Sequence, residues 1–593
     1  MMNTLKKIFS ILLVFTAAAA FSQNEPDAVY HKIVKEYTVH EDGSYDLHYY
    51  KELELKSHYS FNRLYGETFI VYNPDYQDLE INKSYTIMKD GKRVKTPDNA
   101  FNKVLPRSVG EFPAYNHLRE MVVTHTGLAL GATIYLDYTL TTDAEMFGGF
   151  SVKEEIKRKS PVKEMEIIVH VPEGKELNFE TKSLESTPAE SEQEGMKTYT
   201  WQLNNIKPFP REGHICEKSY PELFLQVGNN GVKNDLNPEK ISLRLPGVFK
   251  KKVAEITTEE NSEIDKVNAL RDFVINQIDY SRVAQGYIGN TIRSFAEVYE
   301  TNIASYPEKV FLLAAMIQEA GIDAEPILVY PKGKLPVLTN NHQIKLKVNL
   351  QGKHPYITEL QEKQNLWYNL EEMEARPLVE GETDQIISFP SGKNQYAFNA
   401  KMVVDGKNVS VETEVRLGDY FSPYVLFGTD YQRYTSVVSG ISLDTAMIKN
   451  TSLNETHVKM KTNTPKEIVK QANDLKMIEL PHVEGGVDSW DIGPLWKERS
   501  THFEIPVKVS ESYQVEVEIK NGVCINEDVK EEINTSFGSL TVHLKNNDDS
   551  VVVTKKISLA KKCFNPSEYE QLREMIRGYR DDKVSRLIIS GIE

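Results

Sequence analysis

The stretch from Tyr306 to Ala320 has the composition of a helix that is apolar on nearly every side. Ser305 precedes it and Glu308 follows three residues later, which is the pattern of a capping box, and Gly321 is a stop signal. A helix without a polar face is stable only when other elements cover it on all sides. We therefore predict a central buried helix whose apolar residues are Val310, Phe311, Leu312, Leu313, Ala314, Met316 and Ile317.

Strand patterns flank this helix on both sides. Apolar and polar residues alternate along 45–55 and again along 134–140, and Asp42-Gly43 and Asp90-Gly91 are hairpin turn signals. This part of the chain predicts an antiparallel β-sandwich. Alternation returns after the helical region in 409–415, 515–519, 540–544 and 551–559, before a last helix that begins near Asn565 and Glu568. Its Tyr569, Leu572 and Ile576 are predicted to dock on the second sheet.

The middle of the chain combines helices with later strands. Residues 262–278 have the spacing of an amphipathic helix, and Ser294 with Glu297 forms a second capping box. Apolar residues in 324–330 and 342–350 indicate strands. For 593 residues we predict a multidomain α+β fold: a signal peptide (1–22), an N-terminal β-sandwich with a connecting segment (23–245), an α+β domain (246–389) and a C-terminal β-sandwich with a terminal helix (390–593).

The first 22 residues have the features of a signal peptide. Lys6 and Lys7 form a positive region, an apolar run follows from Ile8 to Phe21, and small residues surround a cut that we predict before Gln23. No later run has the length of a transmembrane helix. We expect a periplasmic protein, with the cell surface or secretion as alternatives.

Charge and cysteine content exclude several functions. The net charge of −16 disfavours nucleic acid as a partner. The three cysteines, Cys216, Cys524 and Cys563, lack the spacing of a redox or zinc motif, and the histidines are scattered, so we expect no metal and no cofactor. Cys524 and Cys563 belong to the same C-terminal region and could pair in an oxidising compartment, a question that the sequence leaves open.

The run Ser305-Tyr306-Pro307-Glu308-Lys309-Val310-Phe311-Leu312-Leu313, followed by Gly321-Ile322-Asp323-Ala324, resembles the transglutaminase-like superfamily. More specifically, the chain is similar to exported bacterial proteins that place such a domain between two β-rich domains. The resemblance implies a papain-like α+β fold for the central domain. In that family a cysteine at the N-terminus of the buried helix is activated by the helix dipole and a histidine, which a carboxylate orients.

The same resemblance implies a degenerate catalytic triad. The family's cysteine falls on Tyr306, its histidine on His342 and its aspartate on Thr358, so only the histidine is retained. A tyrosine hydroxyl is a poor acyl acceptor, and threonine has no charge with which to orient an imidazolium. We interpret Tyr306 as a ring that fills the former cleft.

Ser305 is the alternative nucleophile, because it neighbours the family's cysteine position and could form a dyad with His342. Its predicted role as a helix cap argues against this, since a capping hydroxyl is already bound to a backbone amide. The main hypothesis is a pseudoenzyme that binds a peptide, protein or glycan or acts as a scaffold. The alternatives are an acyl-transfer enzyme or hydrolase that uses Ser305 and His342, and a structural partner of an active homologue.

Overall fold

The computed structural model describes most of the chain after the first 24 residues. The described residues are 25–227, 244–258, 260, 262–290, 292–332, 343–350, 356–358, 360, 373–378, 394–406, 408–421, 438–439, 445–452, 455–463, 469–472, 475–483, 486–487, 490, 498–547 and 549–591. The predicted signal peptide and its cleavage site before Gln23 lie outside them. The chain forms two compact units, one made of Met1–Phe209, Leu223–Asn229 and Gly286–Gly289, the other of Pro210–Glu222, Asn230–Gln285 and Asn290–Glu593.

The first unit is built from strands, as the alternating pattern predicts. Its strands are β1 Ala28–Val39, β2 Tyr45–Leu55, β3 Glu67–Tyr72, β4 Gln77–Ile87, β5 Arg93–Lys95, β6 Phe101–Val104, β7 Arg119–Thr124, β8 Thr133–Thr142, β9 Ser151–Glu155, β10 Val162–Pro172, β11 Leu177–Lys182, β12 Ala189–Gln193, β13 Met196–Ile206 and β14 Glu222–Val227. Two single-turn helices, α1 Arg63–Gly66 and α2 Ala144–Phe147, join them. Both hairpin turns are confirmed, because Gly43 and Gly91 have the positive φ angles of +90° and +87° that such turns require.

Three sheets make up this unit. An eight-stranded sheet has the order β12-β13-β10-β1-β2-β8-β4-β5, and two three-stranded sheets have the orders β11-β14-β9 and β3-β7-β6. The core includes Ile33, Trp201 and Leu223, all fully buried, which join the inner face of the large sheet to β14. Burial of these side chains supplies the main stabilisation of the sandwich.

The second unit starts with helices and continues into strands. The helices are α3 Gly247–Thr257, α4 Glu263–Gln277, α6 Phe295–Thr301, α7 Tyr306–Glu319 and α8 Tyr569–Tyr579; α5 Gln285–Ile288 belongs to the first unit except for Gln285. The first strands are β15 Asp279–Tyr280, β16 Ile303–Ala304, β17 Asp323–Pro331, β18 Ile344–Asn349, β19 Tyr356–Thr358 and β20 Met373–Pro377. Helix α7 is the predicted central helix: residues from Tyr306 to Ile317 are all buried, and α4, β17 and β18 pack around it.

The rest of this unit is a β-rich domain with its own core. Its strands are β21 Gln395–Asp405, β22 Asn408–Gly418, β23 Val438–Ser439, β24 Thr445–Ser452, β25 Glu455–Asn463, β26 Val469–Ala472, β27 Leu475–Glu479, β28 His482–Val483, β29 Phe503–Glu504, β30 Val509–Lys520, β31 Val523–Cys524, β32 Val529–Thr535, β33 Gly538–Asn546, β34 Ser550–Leu559, β35 Cys563–Phe564 and β36 Arg586–Ser590. They include an eight-stranded sheet, β24-β25-β22-β21-β30-β34-β33-β32, and a four-stranded sheet, β26-β27-β36-β31. The multidomain α+β fold class is confirmed.

The terminal helix α8 docks as the sequence predicts. Tyr569, Leu572 and Ile576 are 2%, 0% and 1% exposed, and the helix packs on β33 and β34. Just before it, the side chains of Asn565 and Glu568 each accept a hydrogen bond from the other's backbone amide, at 2.9 and 3.0 Å. This reciprocal pair satisfies amides that have no partner inside the helix.

The disulfide differs from the pairing considered above. Cys563 is bonded to Cys216, and Cys524 is a free, buried thiol, so a Cys524–Cys563 bond is wrong. Spacing along the chain could not indicate this pair, because 347 residues separate the two cysteines. They meet because the segment Pro210–Glu222 belongs to the second unit, although its chain neighbours on both sides belong to the first.

Hydrogen bonds hold the same segment in place. The carboxylate of Glu212 accepts from the backbone amides of Ser500 and Thr501, at 2.7 and 3.0 Å, and from both hydroxyls, at 2.8 and 2.5 Å. The amide of Cys216 donates to the carbonyl of His502 at 2.9 Å. The disulfide therefore closes a contact that several polar groups already specify.

A chain of hydrogen-bonded side chains connects the neighbouring strands β10, β1, β2 and β8 of the eight-stranded sheet in the first unit. The carboxylate of Glu36 bonds to His170 Nε2 at 2.9 Å and to His48 Nδ1 at 3.2 Å, and His48 Nε2 bonds to Asp137 at 2.9 Å. The hydrogen bond with His170, followed by that with His48, outweighs the effect of burial and lowers the pKa of Glu36 to about 2. Ionised Glu36 is therefore bound more tightly than protonated Glu36.

We expect that E36Q flattens the acid dependence of stability. A carboxylate with a lowered pKa stabilises the fold above its unfolded-state value near 4.5, and this contribution is lost as the pH falls from there toward 2. Since the group is partly exposed, screening reduces the effect to about 1 kcal/mol. Denaturation midpoints measured between pH 5 and pH 2 test this; E80Q, an exposed change in β4, serves as the control. Equal slopes for E36Q and the unchanged chain would contradict it.

Replacement of the disulfide by C216S/C563S is expected to lower the stability of the second unit by about 2–4 kcal/mol, because the crosslink restricts the unfolded chain. The measurement is the thermal midpoint with and without reductant. Reductant should bring the unchanged chain down to the midpoint of the variant and leave the variant where it is. An oxidised chain that unfolds at the midpoint of the variant would refute this role.

Candidate functional site

The N-terminus of α7 is closed by the capping box that the sequence predicts. The hydroxyl of Ser305 accepts a hydrogen bond from the amide of Glu308 at 3.4 Å, and the carboxylate of Glu308 accepts one from the amide of Ser305 at 2.7 Å. Ser305 is 2% exposed. Its hydroxyl is therefore engaged with its own helix and is shielded from solvent.

Glu308 is also the centre of an ion pair in which the carboxylate is buried and the guanidinium of Arg293 is half-buried. Arg293 Nε donates to Oε1 at 3.0 Å, its Nη2 donates to Oε2 at 2.9 Å, and its backbone amide donates to Oε1 at 3.0 Å. Arg293 Nη2 also donates to the carbonyl of Ile303 at 2.6 Å, which fixes the short strand β16 before the helix. A bidentate pair of this kind compensates for the removal of both charges from water.

Tyr306 occupies the first residue of α7, where the resemblance places the family's nucleophile. The side chain is 2% exposed, and its hydroxyl accepts a hydrogen bond from Lys345 Nζ at 3.3 Å. The same ammonium group lies 5.5 Å from the centre of the ring, within the range of a cation–π interaction. The ring and the lysine thus fill this position with a buried, hydrogen-bonded pair.

Lys345 is a site residue that the sequence pattern misses. In 342–350 the lysines alternate with Ile344, Leu346 and Val348, which predicts that they face solvent. In the structure Lys345 is only 2% exposed, because both faces of β18 are covered at this point. Arg293 is also missed, since only its position one residue before the cap Ser294 distinguishes it in the sequence.

The other predicted site residues are described in part or not at all. His342 lies outside the described residues. Thr358 ends β19 and pairs with Leu346 of β18, but its side chain lies outside the described part. The roles assigned to Tyr306, His342, Thr358 and Ser305 stay predictions. In the described part of the chain, no group of three or more histidine, cysteine, aspartate or glutamate side chains could hold a metal ion.

A second polar site lies on the C-terminal eight-stranded sheet, on the face opposite its core. A cavity of about 710 Å³ is lined there by residues of β21, β22, β25 and β30. Lysines and glutamates alternate across its floor, and one rung follows the register Lys461, Glu412, Lys401 and Glu516. Lys461 and Glu412 form an ion pair of 2.7 Å, so the charges of the floor largely compensate one another.

Comparison with known families identifies the two flanking regions. Models of two domains of unknown function with solved structures match the chain: DUF3857 matches residues 41–210 and DUF3858 matches residues 477–589. No curated protein matches the chain. Within the described residues, none of the helices has the length and apolarity that a membrane crossing requires.

The chain is similar over most of its length to a solved structure. A crystal structure from Parabacteroides distasonis, described as a "putative protease", is 27% identical, has a TM-score of 0.72 and covers 95% of this chain and 99% of its own. An M1 zinc metallopeptidase of Deinococcus radiodurans (10% identity, 49% and 64% coverage) and aminopeptidase A of Legionella pneumophila (7%, 51% and 35%) both have a TM-score of 0.20, which carries no argument. The chain therefore contains DUF3857 and DUF3858 domains and shares its overall fold with the Parabacteroides protein.

We expect E308Q to destabilise the helical domain by about 3–5 kcal/mol, because it removes the charge of a buried carboxylate that accepts two hydrogen bonds from the guanidinium of Arg293. The matched control is E297Q in the capping box of α6, which is exposed and should cost about 1 kcal/mol. Chemical denaturation of both variants provides the comparison. The double variant E308Q/R293M, which removes both charges, should recover part of the loss; equal effects of E308Q and E297Q would show that the ion pair is dispensable.

Proposed function

We propose that the chain is an exported, non-catalytic protein of the transglutaminase-like class that acts in binding or scaffolding in the periplasm or at the cell surface. The DUF3857 and DUF3858 domains and the full-length similarity to the Parabacteroides protein support the class. The Cys216–Cys563 disulfide supports export, because such bonds persist in oxidising compartments.

The observation that carries the non-catalytic part is the state of Tyr306. Its ring is buried, and its hydroxyl is hydrogen-bonded to Lys345 at the helix position where a transglutaminase-like enzyme needs a thiolate. Cys216 is in a disulfide, Cys563 is its partner, and Cys524 is a buried thiol whose pKa is raised by burial. None of the three cysteines offers a reactive thiolate at α7.

The second candidate function is hydrolysis. The description of the Parabacteroides protein as a "putative protease" favours it, and the catalytic groups would be Ser305 and His342. A serine nucleophile has to transfer its proton to the base and reach the substrate. Ser305 is 2% exposed, and its hydroxyl accepts a hydrogen bond from the amide of Glu308. Both facts support the non-catalytic proposal instead.

The test is labelling of the folded chain with a serine-directed fluorophosphonate. We expect the unchanged chain to remain unlabelled, because no activated hydroxyl is accessible at α7. The decisive pair is S305A and S294A, since both serines cap a helix through a complete capping box and each loss costs about 1 kcal/mol. Circular dichroism verifies that both variants fold.

Each outcome decides between the two functions. An unlabelled chain supports the non-catalytic protein. Labelling of the unchanged chain that S305A abolishes and S294A preserves would refute it and assign the hydrolase.

A further inference from the structure

The four-stranded sheet of the second unit exposes an unusual amount of apolar surface. In the described part of the chain twelve large apolar side chains are exposed, and four of them belong to this sheet or to the residue after its edge strand. They are Leu475 (40% exposed), Val523 (44%), Ile525 (50%) and Ile588 (36%). We call the side of the sheet that bears them the outer face.

The strand register places these side chains next to one another. Met477 pairs with Ile588, and the amide of Ile525 donates to the carbonyl of Ile588 at 2.9 Å, so the three form one row across β27, β36 and the edge. In the next row Ser590 pairs with both Leu475 and Val523. Five apolar side chains thus lie next to one another on the outer face, around Ser590.

The inner face of the same sheet is already used by the core. Ile478, Leu587 and Ile589 are fully buried, and Cys524 is 3% exposed. A sheet with one covered face normally alternates apolar residues inside with polar residues outside. Here the outer face also carries a group of apolar side chains, which is typical of a surface that another protein layer covers.

Charged side chains at one end of the outer face indicate which protein covers it. Glu479 pairs with Arg586 in the third row, with 3.7 Å between the carboxylate and the guanidinium, and Lys470 lies 3.9 Å from the same carboxylate. The two central strands, β27 and β36, therefore carry opposite charges at paired positions of the register.

We propose that the outer face binds the outer face of a second copy of this chain. The two sheets then face each other, and the two-fold axis lies between them, parallel to the strands and above the gap between β27 and β36. This axis places β27 of each copy over β36 of the other copy. Met477 then meets Ile588 of the partner subunit. Glu479 meets Arg586 of the partner subunit, and the same pair forms a second time through the symmetry. The surface is complementary to itself in both apolar character and charge.

The expected dimer is weak. Five apolar side chains per copy correspond to the small end of specific interfaces. We therefore expect a dissociation constant on the order of 10 μM. The net charge of −16 on each copy adds a repulsion that salt screens. Association should therefore be measured at about 0.15 M salt, where the Debye length is about 8 Å.

Sedimentation velocity of the purified chain at about 1–200 μM tests the proposal. We expect a reversible monomer–dimer equilibrium whose dissociation constant rises at least about tenfold in I525S and in I588T, because each change removes an isoleucine that the dimer would bury. L130S is the matched control, since Leu130 is 42% exposed in the first unit. A monomer at every concentration, or a dimer that I525S and I588T leave intact, would overturn the proposal.

A charge exchange between copies tests the symmetry itself. E479R alone and R586E alone should each associate more weakly, because like charges then meet across the axis. A mixture of the two variants should form a heterodimer, since every position 479 then faces an opposite charge at position 586 of the partner subunit. A mixture that stays monomeric while the unchanged chain dimerises would refute this arrangement. Binding of the monomer to lipid vesicles instead would assign the face to a membrane and also overturn it.

Discussion

The pair of Glu308 and Arg293 is the interaction on which the helical domain depends. Helix α7 is buried from Tyr306 to Ile317, so water cannot satisfy the amides of its first turn or the charge of Glu308. The carboxylate of Glu308 accepts a hydrogen bond from the amide of Ser305, which satisfies that amide. The guanidinium of Arg293 compensates the charge of the carboxylate. Because Arg293 also binds the carbonyl of Ile303, the same group fixes the chain that enters the helix. These contacts offset the cost of burying polar groups at the start of an otherwise apolar helix.

The same contacts limit the chemistry at this end of the helix. A catalytic hydroxyl needs freedom to rotate toward a base and toward a substrate, whereas the hydroxyl of Ser305 is bound to an amide and buried. Lys345 needs a polar partner once it is buried, and the hydroxyl of Tyr306 supplies one. Polar groups at the helix position where the resemblance places a nucleophile can therefore be retained for stability alone, as our proposed function requires.

Local signals in the sequence predicted the elements but not the long-range contacts. Both capping boxes, the helix α7 and the paired strands β1 and β2 follow from residues within a few positions of one another. Lys345 was misjudged because period-two alternation carries information about one strand and none about what covers its second face. The disulfide was missed for a similar reason: Cys216 reaches Cys563 only because a short segment of the chain leaves one unit for the other. The distance between two cysteines along the sequence does not show which of the two units each of them joins.

Strand β36 has a more apolar sequence than its burial within one copy of the chain accounts for. Leu587, Ile588 and Ile589 form a continuous apolar run, which is typical of a strand covered on both faces. The core covers Leu587 and Ile589, but Ile588 remains 36% exposed beside Ile525 at 50%. Alternation would have placed a polar residue at Ile588 if water were its permanent neighbour. The discrepancy between a two-sided pattern and one-sided burial is explained when a second copy supplies the missing layer.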